Sequence, residues 1–271
     1  MLSGSYDVSF HTSPDVVTRK CTDPELALRF VRAGMGGGVL RSHYTDTSAR
    51  AVLLNQQFYG LRFVGGVALN RSLGGLNPAA VERCGQMGGR YVWFPTLEAR
   101  NYQSFRHPAA DTRMYLSVLD KDGRLLPEVL QILDVAADYN MVVGTGNLST
   151  EEGMALLPEA AKRRITLVLN HADNPADRYT PAQQREAVAM GAMVEHSFYT
   201  SFYNRVPFEE VARQIKAVGC ENVLLPSNFG QMRSLYPDEG ISLYQKKLMG
   251  LGFTLNELEQ IFIGNPERLF G

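Results

Sequence analysis

Hydrophobic positions along the chain switch between short β-rich runs and longer amphipathic stretches of helical period. The short runs predict eight strands, at 6–10, 37–41, 62–69, 90–94, 141–144, 165–169, 192–195 and 222–225. The amphipathic stretches predict helices at 24–34, 46–57, 78–87, 125–138, 150–162, 181–190, 207–217, 241–250 and 254–263. Eight strand–helix pairs with no linker between them are typical of a (β/α)8 barrel, and they suit a doubly wound sheet less well. We therefore predict an α/β fold, with one (β/α)8 barrel domain over 1–271.

One long irregular segment interrupts this alternation. Residues 97–124 follow the fourth predicted strand and carry the sequence EARNYQSFRHPAADTR. A loop of that length in a compact domain is usually a lid or a binding loop. We expect the segment to lie near the functional site.

Composition narrows the classes of partner. The formal net charge is -1 and no window is strongly basic, so neither nucleic acid nor an anionic membrane surface is an expected partner. No apolar run approaches the ~20 residues of a membrane span. Cys21, Cys84 and Cys220 are scattered without a zinc spacing, which favours reduced thiols in a cytoplasmic protein. We expect a small-molecule substrate as the partner, and a homo-oligomer is left open.

Polar residues concentrate where the predicted strands end. In a barrel the active site gathers at these carboxyl ends, and four of the five histidines of the chain fall there. For any single one of them, a hydrogen-bonded structural role is the alternative. The candidates at the strand ends are Ser9, His11, Arg41, His43, Arg71, Asn147, His171, Glu195, His196, Asn228 and Gln231. Arg19, just past the first strand, is either surface charge or a contact for an anionic substrate.

Several of these motifs resemble the amidohydrolase superfamily of metal-dependent barrel hydrolases. The resemblance rests on DVSFHTSPDVVTRK at the first strand, LRSHYTDTSARA at the second, LNRSLGGLNP at the third and VWFPT at the fourth. It continues through GTGNLSTEE, LVLNHADNP and SNFGQ to the ending IGNPERLFG. The resemblance implies a metal set of His-x-His on the first strand, a histidine on the fifth and sixth, and an aspartate on the eighth. Here His11 and His171 match, whereas Ser9, Asn147 and Asn228 depart from the pattern. A serine and two amides replace imidazole and carboxylate poorly, so we predict no binuclear centre.

Two alternatives remain for the positive charge of the site. One divalent ion, most simply zinc, could be held by His11, His43, His171 and His196, because three protein ligands and a water suffice for catalytic zinc. Alternatively no metal binds, and Arg41 or Arg71 supplies the charge.

The remaining candidates divide into acid/base groups and substrate contacts. Glu195 and His196 form the natural acid/base pair, but adjacent residues of a strand point to opposite faces, so only one should enter the barrel mouth. His11 and His171 complete the predicted catalytic set. The predicted substrate contacts are Arg41, His43, Arg71, Asn147, Asn228 and Gln231.

The sequence thus predicts an enzyme acting at a carbonyl centre of a small polar substrate. The resemblance implies hydrolysis of an amide, ester or lactone, and the altered ligands admit ring closure, elimination or isomerisation. The alternative is a catalytically silent barrel that binds a ligand or a partner protein. A dead site should fill with small or apolar residues, and the retained His, Glu, Arg and Asn side chains favour the enzyme.

Overall fold

Short parallel strands alternate with helices in the computed structural model, which describes residues 2–271. The strands are β1 (Tyr6–Phe10), β2 (Gly37–Leu40), β3 (Arg62–Val64), β4 (Gly66–Ala68), β5 (Tyr91–Trp93), β6 (Val142–Gly144), β7 (Leu167–Leu169), β8 (Met193–Glu195) and β9 (Val223–Leu224). The helices are α1 (Asp23–Ala33), α2 (Ser48–Gln57), α3 (Pro78–Gln86), α4 (Arg100–Arg106), α5 (Pro127–Asp138), α6 (Thr150–Lys162), α7 (Pro181–Ala189), α8 (Phe198–Phe202), α9 (Phe208–Val218), α10 (Pro237–Gly250), α11 (Leu255–Glu259) and α12 (Asn265–Phe270). Short 3-10 turns lie at Arg71–Leu73 and Cys220–Asn222, and a π turn at Gln260–Gly264 joins α11 to α12.

The strands pair in parallel and in chain order. β1, β2 and β3 form one run and β4 to β9 the next, and the single residue Gly65 separates the two. A Cβ on Gly65 would lie 2.4 Å from the Cα of Ser48, so the start of α2 packs against bare backbone there. Beyond β9 the chain returns to β1, where Asn228 N–H donates to Ser9 O at 2.9 Å and His11 N–H to Phe229 O at 2.8 Å. This order of parallel strands and outer helices fits the predicted (β/α)8 barrel.

Alternation along the strands divides the apolar residues between two cores. On β5, Tyr91 and Trp93 point into the ring of strands, where their rings stack at 4.1 Å, while Val92 joins the layer between strands and helices. Val168 and Met193 follow the same inward pattern on β7 and β8. Side chains therefore fill the interior of the ring, and a ligand can enter only above this layer.

The eight predicted strands are all present, each within two residues of its predicted ends, except that the third is divided at Gly65. The nine predicted helices also occur, and α10 begins four residues before the predicted 241, with Pro237 in its first turn. The sequence analysis missed α4, α8 and α12. All three are short, and α4 (RNYQSFR) buries no residue, so it lacks the apolar stripe by which a helix is recognised.

Within residues 2–271, none of the helices has the length and apolar character that a membrane crossing requires.

Candidate active site

A cavity of about 240 Å³ opens at the carboxyl ends of the strands, and we call it the inner cavity. Of the predicted site residues, the structure brings seven together in its lining: His11, Arg41, His43, Asn147, His171, Asn228 and Gln231. The cavity is small beside the ~300–1,000 Å³ of sites for drug-sized ligands. It has room for a compact metabolite.

A buried chain of charged and polar groups forms one wall. Nη1 of Arg41 lies 3.3 Å from Nε2 of His171, and Nδ1 of the same imidazole lies 3.1 Å from Oε1 of Glu195. A guanidinium can only donate, so Nε2 of His171 is the acceptor and Nδ1 carries the proton that faces Glu195. The lone pair that a metal-ligating histidine would offer is therefore turned toward a cation.

The electrostatics of this wall favour an ionised Glu195 beneath Arg41. Burial raises the pKa of Glu195, but His171, Arg41 and an N–H from Asn170 at 2.8 Å outweigh it and leave the pKa below its usual value. Burial lowers the pKa of Arg41, and Glu195 opposes that shift. An arginine stays protonated in proteins, so the wall contains a fixed cation backed by a carboxylate.

The position of Arg41 follows from the barrel. It stands two residues after Val39 of β2, which points into the ring, so alternation directs Arg41 inward as well. Its guanidinium carbon lies 5.2 Å from the ring centre of Trp93, and its side chain is fully buried. Aromatic packing below and His171 beside it hold the guanidinium in one place.

Two neutral histidines form a second wall. The rings of His11 and His43 lie tilted against each other with centroids 4.9 Å apart, and Nδ1 of His43 lies 2.8 Å from Oγ1 of Thr96. Burial lowers the pKa of His11 well below its usual value, and the neighbouring His43, Arg19 and Arg41 lower it further. Burial and the charges of Arg41 and Arg19 do the same to the pKa of His43. Both imidazoles are therefore uncharged at neutral pH.

Several buried polar atoms around the inner cavity have no hydrogen-bond partner among residues 2–271. These atoms are Ser9 Oγ, His11 Nδ1, Asn147 Oδ1, Asn228 Oδ1 and Gln231 Oε1. Buried polar groups are normally paired, so an unpaired set in one place is typical of a binding site. His171 and Asn228 also have left-handed backbone, at φ 50° and 55°, an uncommon conformation for residues other than glycine and one that clusters at functional sites.

Three predicted residues lie outside the inner cavity. Glu195 sits behind His171, and it reaches a ligand only through that imidazole. His196 follows Glu195 on the opposite face and is fully buried, with its Nδ1 3.2 Å from Asp173 Oδ1. Its backbone oxygen accepts from the O–H of Tyr244 at 3.0 Å. The expectation that His196 faces the pocket is corrected by the strand alternation that places Glu195 inside.

Arg71 requires the second correction. It begins the 3-10 turn after β4, is exposed, and lies over the ring of Tyr115 at 5.8 Å. The turn carries its side chain away from the barrel mouth, so Arg71 does not line the inner cavity. Of the two arginines predicted from the sequence as the fixed cation, only Arg41 lines the inner cavity.

The donor set does not fit a metal ion. Ser9, Asn147 and Asn228 stand at the positions where the resemblance implies ligands, and Arg41 faces Nε2 of His171. His196 lies outside the cavity, so the four-histidine set is not assembled. Among residues 2–271 no three His, Cys, Asp or Glu side chains are grouped so as to hold a metal.

Sequence reasoning missed several lining residues, among them Tyr44, Tyr102, Asn174, Tyr199, Thr200 and Arg205. Most lie on α4, on α8 or in the loops beside them, which have no strand end to mark them. Arg19, for which the sequence allows either surface charge or a ligand contact, lies buried in the cavity wall and pairs with Asp15 at 2.6 Å.

Comparison with known proteins places the chain in a family. Residues 4–195 match the model described as "Family of unknown function (DUF6282)". The chain belongs to the DUF6282 family. No curated protein sequence matches it.

Solved structures share the fold of this DUF6282 chain at low identity. An amidohydrolase from Pseudomonas aeruginosa matches with a TM-score of 0.68 at 10% identity, covering 99% of this chain and 95% of that one. A metallo peptidase from Rhodobacter sphaeroides, bound to a phosphinate mimic of the dipeptide L-Ala-D-Ala, matches at 0.68 and 11%, covering 100% and 99%. A lactonase from Listeria monocytogenes matches at 0.65 and 13%, covering 99% and 94%. The resemblance to amidohydrolases is thus confirmed for the fold.

The buried His196 gives a first prediction. His196→Ala should lower the free energy of unfolding by about 2–3 kcal/mol, because it leaves the Asp173 carboxylate unpaired in the interior. His107→Ala, at an exposed histidine, should change the free energy of unfolding by no more than about 0.5 kcal/mol. Urea denaturation measures both variants. A fully stable His196→Ala protein would contradict the structural role.

Asp7 gives a second prediction, on pH. It joins β1 to the segment after β9, accepting from the N–H of Ser227 at 3.0 Å and from its O–H. Burial raises the pKa of Asp7 from 3.8 to about 7, although the Ser227 bonds oppose the shift. The folded chain then binds more protons than the unfolded chain between about pH 4 and 7, so stability from this group falls as pH rises through that window, by up to about 4 kcal/mol.

In Asp7→Asn this pH dependence disappears. The unfolding free energy of the wild type minus that of Asp7→Asn should therefore decrease from pH 5 to pH 8, and all other titrating groups cancel in the difference. Chemical denaturation at a series of pH values measures it, with the exposed Asp122→Asn as the control whose difference stays flat. A constant difference for Asp7→Asn would show that Asp7 is ionised throughout.

Proposed function

We propose that this DUF6282 protein is a metal-independent enzyme that acts at a carbonyl centre of a small, negatively charged polar substrate. One observation carries the proposal: the Arg41 guanidinium lies 3.3 Å from Nε2 of His171, on the face where a metal would bind. A fixed guanidinium can stabilise the oxyanion that develops at a carbonyl, as a metal does in other enzymes, without any change of protonation. The neighbours in fold act as hydrolases by their names, which supports hydrolysis as the reaction.

The charge of the inner cavity supports an anionic substrate. Arg19, Arg41 and Arg205 line it, and none of its described lining residues is an aspartate or glutamate. Asp15 neutralises Arg19 and Glu195 lies behind Arg41, whereas Arg205 has no carboxylate within ion-pair distance among residues 2–271. One positive charge is left over, and an anionic group on the substrate would balance it.

His11 is the proposed acid/base group. Its imidazole is neutral and its Nδ1 has no partner among residues 2–271, so it can accept the proton of a water that attacks the carbonyl carbon. His171 cannot take this role, because its Nε2 already accepts from Arg41. The C–O bond of an ester or lactone, or the C–N bond of an amide, then breaks. His11 returns the proton to the leaving oxygen or nitrogen.

A substrate screen tests the proposal. Small lactones, esters and amides that carry a carboxylate should be hydrolysed, and analogues with the carboxylate replaced by a methyl group should not. A parallel reaction with His11→Asn controls for contaminating hydrolases. Binding of the acids without conversion of any of them would instead support the silent barrel, and turnover of the uncharged analogues alone would contradict the anionic substrate.

The pH profile of this reaction follows from the lowered pKa of His11. Because the base is already unprotonated at pH 6.5, kcat/KM should be constant from pH 6.5 to 8 and fall only at lower pH. An acidic limb centred at or above pH 6.5 would show that a different group supplies the base.

A further inference from the structure

A second cavity lies beside the inner cavity. It has a volume of about 490 Å³, and we call it the outer cavity. Its lining residues are Tyr102, Phe105, Arg106, Asn174, Pro175, Ala176 and Arg205. Tyr102, Asn174 and Arg205 line both cavities, so the two are adjacent and share these side chains.

Two guanidiniums in the outer cavity are free for a ligand. Arg205 lies over the ring of Tyr199 at 5.3 Å and Arg106 over the ring of Tyr102 at 5.8 Å, and neither has an ion-pair partner among residues 2–271. No aspartate or glutamate is among the described residues of the lining. Both arginines are exposed, and Nη1 of Arg106 also lies 3.5 Å from the hydroxyl of Tyr102. The other N–H groups of the two guanidiniums are available for two-point binding of a carboxylate or phosphate.

Two walls of the outer cavity are held together by a half-buried amide. Asn101, next to Tyr102 on α4, donates through Nδ2 to Ala176 O at 2.8 Å and to Asp177 Oδ1 at 3.2 Å. The same amide reaches Asn147 O of the inner cavity at 3.3 Å. The helix that carries Arg106 and the loop that carries Asn174 and Pro175 are therefore fixed to each other, which makes the outer cavity a built site.

We infer that the outer cavity is the subsite for the anionic group of an elongated substrate, a carboxylate or phosphoryl group bound by Arg106 and Arg205, while the reacting carbonyl lies against Arg41. The apolar surfaces of Phe105 and Pro175 would contact the carbon chain between the two ends of the ligand. The inference rests on the proposed function, since the other end of the ligand is the group that lies against Arg41.

Calorimetry with simple acids tests the subsite. The probes are butyrate, valerate and hexanoate against succinate, glutarate and adipate, which match them in carbon number but carry a second carboxylate. At least one dicarboxylate should bind about tenfold more tightly than its matched monocarboxylate, because charge-assisted bonds at both ends contribute. Phosphono acids of the same lengths distinguish a phosphoryl group from a carboxylate at the outer end.

The variants assign the preference to residues. Arg106→Gln and Arg205→Gln should each reduce the preference for the dicarboxylate over its matched monocarboxylate. In Arg106→Gln the affinity for monocarboxylates should stay unchanged. The matched control is Arg113→Gln, from the same long segment, where the arginine is 88% exposed and paired with Asp111 at 2.7 Å. Equal affinity for the two series, or a preference that survives both variants, would overturn the subsite and leave the proposed function standing. Acid binding that is absent, or unaffected by Arg41→Met, would overturn both.

Discussion

Arg41→Met is expected to lower turnover of any hydrolysed substrate by about 100- to 1,000-fold, the loss seen when one preorganised oxyanion donor is removed. Methionine fills a similar volume over Trp93 but carries neither charge nor N–H groups. Arg41→Lys should recover little, because an ammonium cannot reproduce the planar fork that faces both His171 and the cavity.

The stability of this variant must be measured beside its turnover. Removing the guanidinium leaves Glu195 buried with one cation fewer, which should cost about 3–5 kcal/mol. Assays therefore use only the folded fraction, established by denaturation of the same sample. Arg71→Met, at an exposed arginine outside the cavity, should change neither quantity. Turnover that is preserved in folded Arg41→Met would remove the guanidinium from the mechanism.

His11→Asn is expected to lower turnover by about 100-fold or more, since general-base catalysis by a positioned group contributes on that order. The free energy of unfolding of this variant should change by no more than about 1–2 kcal/mol. Nδ1 of His11 has no hydrogen-bond partner among residues 2–271, so the substitution breaks no bond there, and asparagine is also polar. The effect should appear in kcat with KM nearly constant, which marks an interaction made in the transition state.

The control for His11 is His107→Asn, in the exposed part of the long segment. It should retain full activity. Equal losses in the two variants would indicate a general fault of the protein preparation. Full activity in His11→Asn would move the base to His43, whose ring centroid lies 4.9 Å from that of His11.

Much of the fold was predictable because alternation and helical period report burial directly. Val39 and Arg41 share a face of their strand, as do Met193 and Glu195, so each charged residue points the same way as its apolar neighbour. The same rule predicts that Glu195 and His196 diverge, although it does not say which one enters. The structure decides it, because Met193 packs inside the ring of strands and Glu195 shares its face, whereas His196 pairs with Asp173.

The rest of the site was hidden because it depends on elements with weak local signals. Tyr102 and Arg106 lie on α4, a helix of seven residues that is anchored through Asn101 and has no apolar face of its own. Arg205 follows the short α8, far from any strand end. Arg71 was misplaced because a strand end appeared to precede it, whereas the 3-10 turn there directs its side chain outward.

Elemental analysis of the purified chain, combined with turnover before and after dialysis against a chelator, tests metal independence most directly. We expect zinc, manganese and iron far below one ion per chain, and turnover that the chelator leaves unchanged. A content near one ion per chain, with activity that is lost on chelation and regained when that ion is added back, would contradict the assignment of the site's positive charge to Arg41.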